Sequence, residues 1–150
     1  MKHDPKEISE HYKSVLISHC SFCLDSWDLL ESVLEIKEIS KGELTLQEGK
    51  TCRFIDFIHT GSFRTYYLND GLETTTAIAT EDSFITDMKS LSSETPSVLN
   101  IQSLEPSIVV RLFKEKLIRL YKQSAELQNV GRAILESMPG WQKVGRFAKT

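Results

Sequence analysis

The sequence predicts a mainly β domain, a small antiparallel roll or jelly roll with helices before it and a long helix after it. Three observations predict this class. Gly42, Gly49, Gly61 and Gly71 each fall between short runs of strand-forming residues. The apolar period changes from helical to alternating near residue 40 and returns to helical at Phe113. The strand-like runs are short and closely spaced, which suits a barrel or roll better than a parallel sheet.

The elements follow in order. Ile8, Tyr12, Val15, Leu16 and His19 recur at helical spacing and predict a helix over 6–18. Asp25 or Ser26 is suited to cap a second helix carrying Trp27, Leu30, Val33 and Leu34. Leu44 and Leu46 alternate with Glu43, Thr45 and Gln47, as in a half-buried strand. Residues 53–60 and 62–69 are rich in Phe, Ile, Thr and Tyr, and Thr60-Gly61-Ser62 separates them. Asn69-Asp70-Gly71 signals a hairpin, because tight primed turns need positive φ. Thr74, Thr75, Thr76 and Ile78 continue as a strand. The polar stretch from Lys89 to Pro96 reads as a helical turn and a loop. Strands return at 98–104 and 107–112, split by Glu105-Pro106.

From Phe113 the helical period resumes. Leu120, Ser124, Leu127, Gly131, Ile134 and Met138 are spaced alternately four and three, the seam spacing of a coiled coil. Leu120, Leu127, Ile134 and Met138 are the expected dimer contacts, and Ser124 and Gly131 make the seam imperfect. A seam of this kind also fits a helix lying on its own roll. Pro139-Gly140 is expected to end or kink the helix. The organisation is then 1–112 for helices and roll, 113–138 for a dimerisation helix, and 139–150 for a basic tail. That tail holds Trp141, Lys143, Arg146 and Lys149 and no acid.

Bulk properties narrow the function. A chain of 150 residues fits one domain. A net charge of -3 gives no whole-chain footprint for nucleic acid. No apolar run approaches the ~18 residues needed to span a bilayer. The N-terminus is polar, so a cytoplasmic location is the expectation. Three cysteines, Cys20, Cys23 and Cys52, do not suggest a disulfide framework. Cys20-Ser21-Phe22-Cys23 is a CxxC compatible with redox chemistry or half a zinc site. The remaining ligands would have to come from Cys52, His3, His11, His19 and His59, with no second CxxC and no HxxxH. Free thiols packed near a helix end are the simpler reading.

The segments Lys41-Gly42-Glu43, Glu48-Gly49, Phe57-Ile58-His59-Thr60-Gly61, Arg64-Thr65-Tyr66-Tyr67, Asp70-Gly71 and Ser83-Phe84-Ile85-Thr86-Asp87 occur in series. With the flanking helices, they resemble the cyclic-nucleotide-binding sensor domain of the Crp–Fnr regulators. The likeness is greatest to the divergent branch typical of Bacteroidetes-type bacteria, and it covers about residues 20 to 137. It implies an eight-stranded roll, a double-stranded β-helix, that holds a ligand. It also implies a following helix that forms a dimer and a winged helix-turn-helix that binds DNA.

The family's nucleotide binders use a Gly-Glu pair opening a short helix and an Arg followed by a small hydroxyl residue. Matching on Phe84-Ile85 puts Thr86 and Asp87 at the Gly-Glu positions, with Ser97 and Val98 near the Arg-Ser positions. No Lys or Arg lies between Lys89 and Arg111. A sequestered phosphate needs a cation and N–H donors, so binding of cyclic AMP or cyclic GMP is not expected. A different small ligand stays open, and no cofactor is implied. Three cysteines do not supply an Fnr-type iron–sulfur cluster. His59 is the one strand histidine that could ligate haem iron, a role a lone strand histidine seldom has.

Eleven residues follow Pro139, too few for a winged helix-turn-helix. No direct DNA reading and no membrane association are therefore expected. The expected role is a regulatory, non-enzymatic module, as a homodimer or paired with a full-length relative. Two alternatives stand beside it. A cupin-like metal protein would need an HxH motif, which the sequence lacks. A ligand-free structural remnant would show an interior filled by side chains.

Overall fold

The computed structural model describes residues 3–138 and begins with α1 (Pro5–Ile17). Asp4 caps it, accepting from the Lys6 N–H at 3.0 Å, and Pro5 pre-sets the first turn. Ile8, Tyr12 and Leu16 lie on one face, and all three are buried. The next helix, α2 (Leu24–Glu31), starts earlier than the sequence predicts. Its N-cap is Cys23, whose N–H donates to the Glu126 carboxylate at 2.8 Å. A carboxylate 103 residues away does what Asp25 or Ser26 was expected to do. Ser26 instead lies inside the helix, 2.8 Å from Ser124 Oγ. Val33 and Leu34 fall beyond the helix end.

Eight antiparallel strands form two sheets, as the glycine pattern predicts. One sheet holds β1 (Glu35–Ile39), β8 (Ser107–Phe113), β3 (Phe54–Thr60) and β6 (Phe84–Ile85), in that order. The other holds β2 (Leu44–Leu46), β7 (Asn100–Ser103), β4 (Phe63–Asn69) and β5 (Leu72–Ala79). Alternation along the first sheet makes two cores. Ile55, Phe57, Ile108, Val110 and Leu112 pack against the helices. Ile39, Ile58, Ile85 and Val109 point into the roll and meet Leu46, Phe63 and Ile101 from the other sheet.

Gly61 is required where β3 turns into β4. Its φ is +109°, and a Cβ there would stand 1.9 Å from Ser107 Oγ. The β4–β5 turn follows the sequence signal, with Asp70 at φ 54° and Gly71 at φ 80°. β7 pairs with Phe63–Tyr66 of β4 and no further. From Tyr67 to Thr74 the hairpin continues as a two-stranded ribbon. β5 is an edge, moderated by a register shift opposite Thr65/Tyr66 and by the Arg64–Glu73 ion pair at 2.8 Å. β7 is shorter than the predicted 98–104, because Leu99 N–H donates to Ser97 Oγ at 2.9 Å and holds residues 97–99 as a turn.

The predicted continuous helix over 113–138 is corrected. The structure has α4 (Lys114–Leu120), a break, and α5 (Glu126–Glu136). The break lets α5 fold back onto α4. At Gly131 a Cβ would come within 2.7 Å of Tyr121 Oη, so glycine permits that approach. Ser124 meets Ser26 of α2. The two residues that spoil a coiled-coil seam are thus the contacts of an intramolecular fold. Leu120, Leu127, Ile134 and Met138 are 5, 0, 0 and 7% exposed, inside the chain's own core. The basic tail lies outside the described residues.

Candidate functional site

β6 delivers Thr86 and Asp87 to the start of α3 (Met88–Ser93). Thr86 Oγ1 donates to the Phe54 carbonyl at 2.7 Å, closing the strand end. Asp87 is the N-cap of α3 and is buried. One carboxylate oxygen accepts from the Ser90 N–H at 3.3 Å. The other accepts from Ser97 Oγ. Ser97 is held in turn by its N–H to the Lys50 carbonyl and by its carbonyl to the Gly49 N–H, both at 2.8 Å.

Thr86, Asp87 and Ser97 are therefore brought together at the start of α3. Val98 is not; it is 66% exposed. Asp87 and Ser97 satisfy one another, while the Thr86 hydroxyl is spent on the Phe54 carbonyl. The Asp87 carboxylate already takes the Ser90 N–H at the start of α3, where an anionic ligand would seek a donor.

The sequence reading missed Arg111. Residues 109 and 111 of β8 share a face, as do 56 and 58 of β3. Val109 and Ile58 point into the roll, so Arg111 and Asp56 do too. They stand opposite one another in the strand register. Arg111 Nε and Nη2 donate to Asp56 Oδ1 and Oδ2 at 2.8 and 2.9 Å, a bidentate pair. Its guanidinium also lies over the Phe54 ring, 4.0 Å from the centroid. Burial pushes the Asp56 carboxyl pKa up, and the guanidinium pulls against that rise. Burial also works against the Arg111 charge, but Asp56 more than restores it, raising the guanidinium's pKa. The roll thus contains an internal cation whose charge is neutralised by its own strand partner. A charged residue within each of the apolar runs Phe54–Thr60 and Ser107–Phe113 was the available signal.

A cavity of about 480 Å³ opens beside α3 and α4, lined by Arg53, Leu91, Phe113, Lys114, Lys116 and Arg119 among others. Three of its cations have acidic partners: Lys116 with Glu35 at 2.9 Å, Arg119 with Glu115 at 2.5 Å and Lys114 with Glu94 at 3.5 Å. All three cysteines are free thiols. Cys20 lies past the end of α1, where burial raises its pKa, and Cys23 caps α2. Among the described residues, no group of three or more His, Cys, Asp or Glu side chains is placed to hold a metal. Nor is any described helix long and apolar enough to cross a membrane.

The family model for the cyclic nucleotide-binding domain matches residues 36–124, more than half of the chain. The chain belongs to the cyclic nucleotide-binding domain family. No curated protein matches it. Among solved structures, it is similar to a cyclic nucleotide-binding domain from Methylobacillus flagellatus KT, at 17% identity and a TM-score of 0.76. That match covers 89% of this chain and 76% of the other. It is also similar to the sensor domain of the transcriptional regulator DNR from Pseudomonas aeruginosa, at 18% identity and a TM-score of 0.68. Here 94% and 93% are covered. The Thermus thermophilus catabolite activator protein matches at 18% identity and a TM-score of 0.66, over 82% of this chain and 57% of that one. At these identities the structural matches establish the fold. This cyclic nucleotide-binding domain has the expected roll and flanking helices.

Proposed function

We propose that the chain is a regulatory module of the Crp–Fnr type, non-catalytic and cytoplasmic, that does not take cyclic AMP or cyclic GMP. The observation that carries this reading is the closed cassette. Asp87 takes the Ser90 N–H at the start of α3 and is tied to Ser97, while Arg111 is neutralised by Asp56. A cyclic phosphate entering there would meet a carboxylate in place of a cation. An unpaired phosphate buried in the roll costs several kcal/mol. Calorimetric titration with both nucleotides tests this. No saturable heat is expected, and micromolar binding of either overturns the reading.

The apolar filling between the sheets, from Ile39, Leu46, Ile58, Phe63, Ile85, Ile101 and Val109, favours a second reading. In it, the roll binds no small molecule and acts only as a protein module.

Pairing with a second copy or with a full-length relative belongs to both readings. Leu120, Leu127, Ile134 and Met138 are occupied by the chain's own core, so pairing through them needs α5 to swing out. Light scattering after size exclusion reports the mass. Twice 17.1 kDa supports a homodimer, and 17.1 kDa leaves pairing to a relative alone.

A further inference from the structure

α1 lies across β3, and one polar connection joins them at the rim of the apolar contact. His11 Nδ1 is 2.6 Å from His59 Nδ1 of β3. The other ring nitrogen, His11 Nε2, is 2.5 Å from Asp82 Oδ1. Asp82 sits at φ 71° in the turn before β6, pinned by its own N–H to the Ile58 carbonyl at 3.0 Å. The His11 ring also packs edge-on against Phe57, 5.1 Å between centroids.

The proton count of this chain is constrained. A carboxylate can only accept, so His11 Nε2 carries a hydrogen. With both rings neutral, His11 Nδ1 must accept and His59 Nδ1–H must donate. One added proton can still be housed. His11 becomes a cation beside Asp82, and His59 shifts its hydrogen to Nε2 so that its Nδ1 accepts. A second proton cannot. Two Nδ1–H groups, both on cations, would then face each other at hydrogen-bond distance.

We propose that His11, His59 and Asp82 form a proton-sensitive latch fastening α1 to the roll, which holds with at most one extra proton and lets go with two. Ile8, Tyr12 and Leu16 keep α1 in the core, so release loosens the helix without detaching it.

The groups around His59 come from every neighbouring segment. His3 precedes α1, Glu7 and His11 are on α1, and Glu81 and Asp82 are in the turn. Glu81 is engaged by the Gly61 N–H at 3.1 Å. Burial and then His11 lower the His59 pKa; Glu7 opposes them, His3 adds to the lowering and Glu81 opposes it. In the unfolded chain a histidine takes its proton near pH ~6.5. The folded form resists that proton, so the hold is complete above about pH 6.5 and weakens as pH falls below it.

Hydrogen exchange of the whole chain, read by mass spectrometry on peptides from α1, tests the latch. After correction for intrinsic rates, α1 is expected to exchange about tenfold faster at pH 5.5 than at pH 7.5, one unit below the free histidine value. His59→Gln keeps an acceptor but cannot take a proton, so its exchange is expected to change less than about twofold. An unaltered chain that also changes less than about twofold, or a His59→Gln chain that keeps the full change, overturns the proposal. Ring-proton NMR on the unaltered chain decides independently of any variant. A His59 that titrates at or above about pH 6.5, without sensing His11, overturns it as well.

Discussion

Removing Arg111 should leave Asp56 as an uncompensated charge inside the roll. Asp56 is 1% exposed, and both of its carboxylate oxygens are held by that one guanidinium. Arg111→Met keeps most of the side-chain volume and deletes two charge-assisted hydrogen bonds. Each is worth about 1.5–3 kcal/mol, and breaking a buried ion pair from one side costs about 3–5 kcal/mol. The expected loss is therefore about 4 kcal/mol, a large share of the ~5–15 kcal/mol of a typical domain. Asp56 can escape part of this by taking a proton. Burial already pushes its pKa up, and losing Arg111 pushes it further. An unpaired Asp56 destabilises where it must stay ionised, so the deficit of the variant shrinks as pH falls. The double variant Asp56→Leu/Arg111→Met removes both charges and should return to within about 1 kcal/mol of the original. Urea unfolding followed by Trp fluorescence at pH 7.5 and pH 5 measures all three chains. A single variant losing under about 1 kcal/mol refutes the reasoning, as does a double variant as unstable as the single.

Two further outcomes follow from local geometry. Gly61→Ala should cost about 3 kcal/mol or more, because the new Cβ would collide with Ser107 at a positive φ. Gly42→Ala, at φ +83° with nothing within 4 Å, should cost only about 1–2 kcal/mol, and urea midpoints of the pair isolate the collision. Glu126→Ala should lower the melting temperature at pH 7 and make no difference at strongly acid pH. The Cys23 N–H holds the Glu126 carboxyl pKa below its usual value, so its contribution is present above about pH 4.3 and lost as pH falls through the lower folded value. Melting curves across that range check it.

The roll was legible because its turns are local. Gly61 and Asp70-Gly71 announce positive φ without reference to anything distant. The break after α4 was not. It depends on Tyr121 lying over Gly131 and on Ser124 finding Ser26, contacts that a period count cannot see. The start of α2 was misplaced for the same reason, its cap being supplied by Glu126. That Thr86 and Asp87 open α3 could be read from their places along the chain. The hydrogen bond between Asp87 and Ser97 could not, since the sequence shows a missing cation but not a carboxylate that is already paired. Arg111 escaped because its partner lies 55 residues earlier on a neighbouring strand. His11 and His59 read as scattered residues until α1 crosses β3.

Beyond Tyr66 the β4–β5 ribbon has no third strand, and Leu68, Leu72 and Glu73 along it are open to water. Separating its two strands there uncovers no core side chain. The tip can fray and re-form on its own, faster than anything that carries the fold. Proteolytic nicks or rapid amide exchange confined to Tyr67–Thr74 would therefore report the fraying of a fringe and leave the stability of the domain unmeasured.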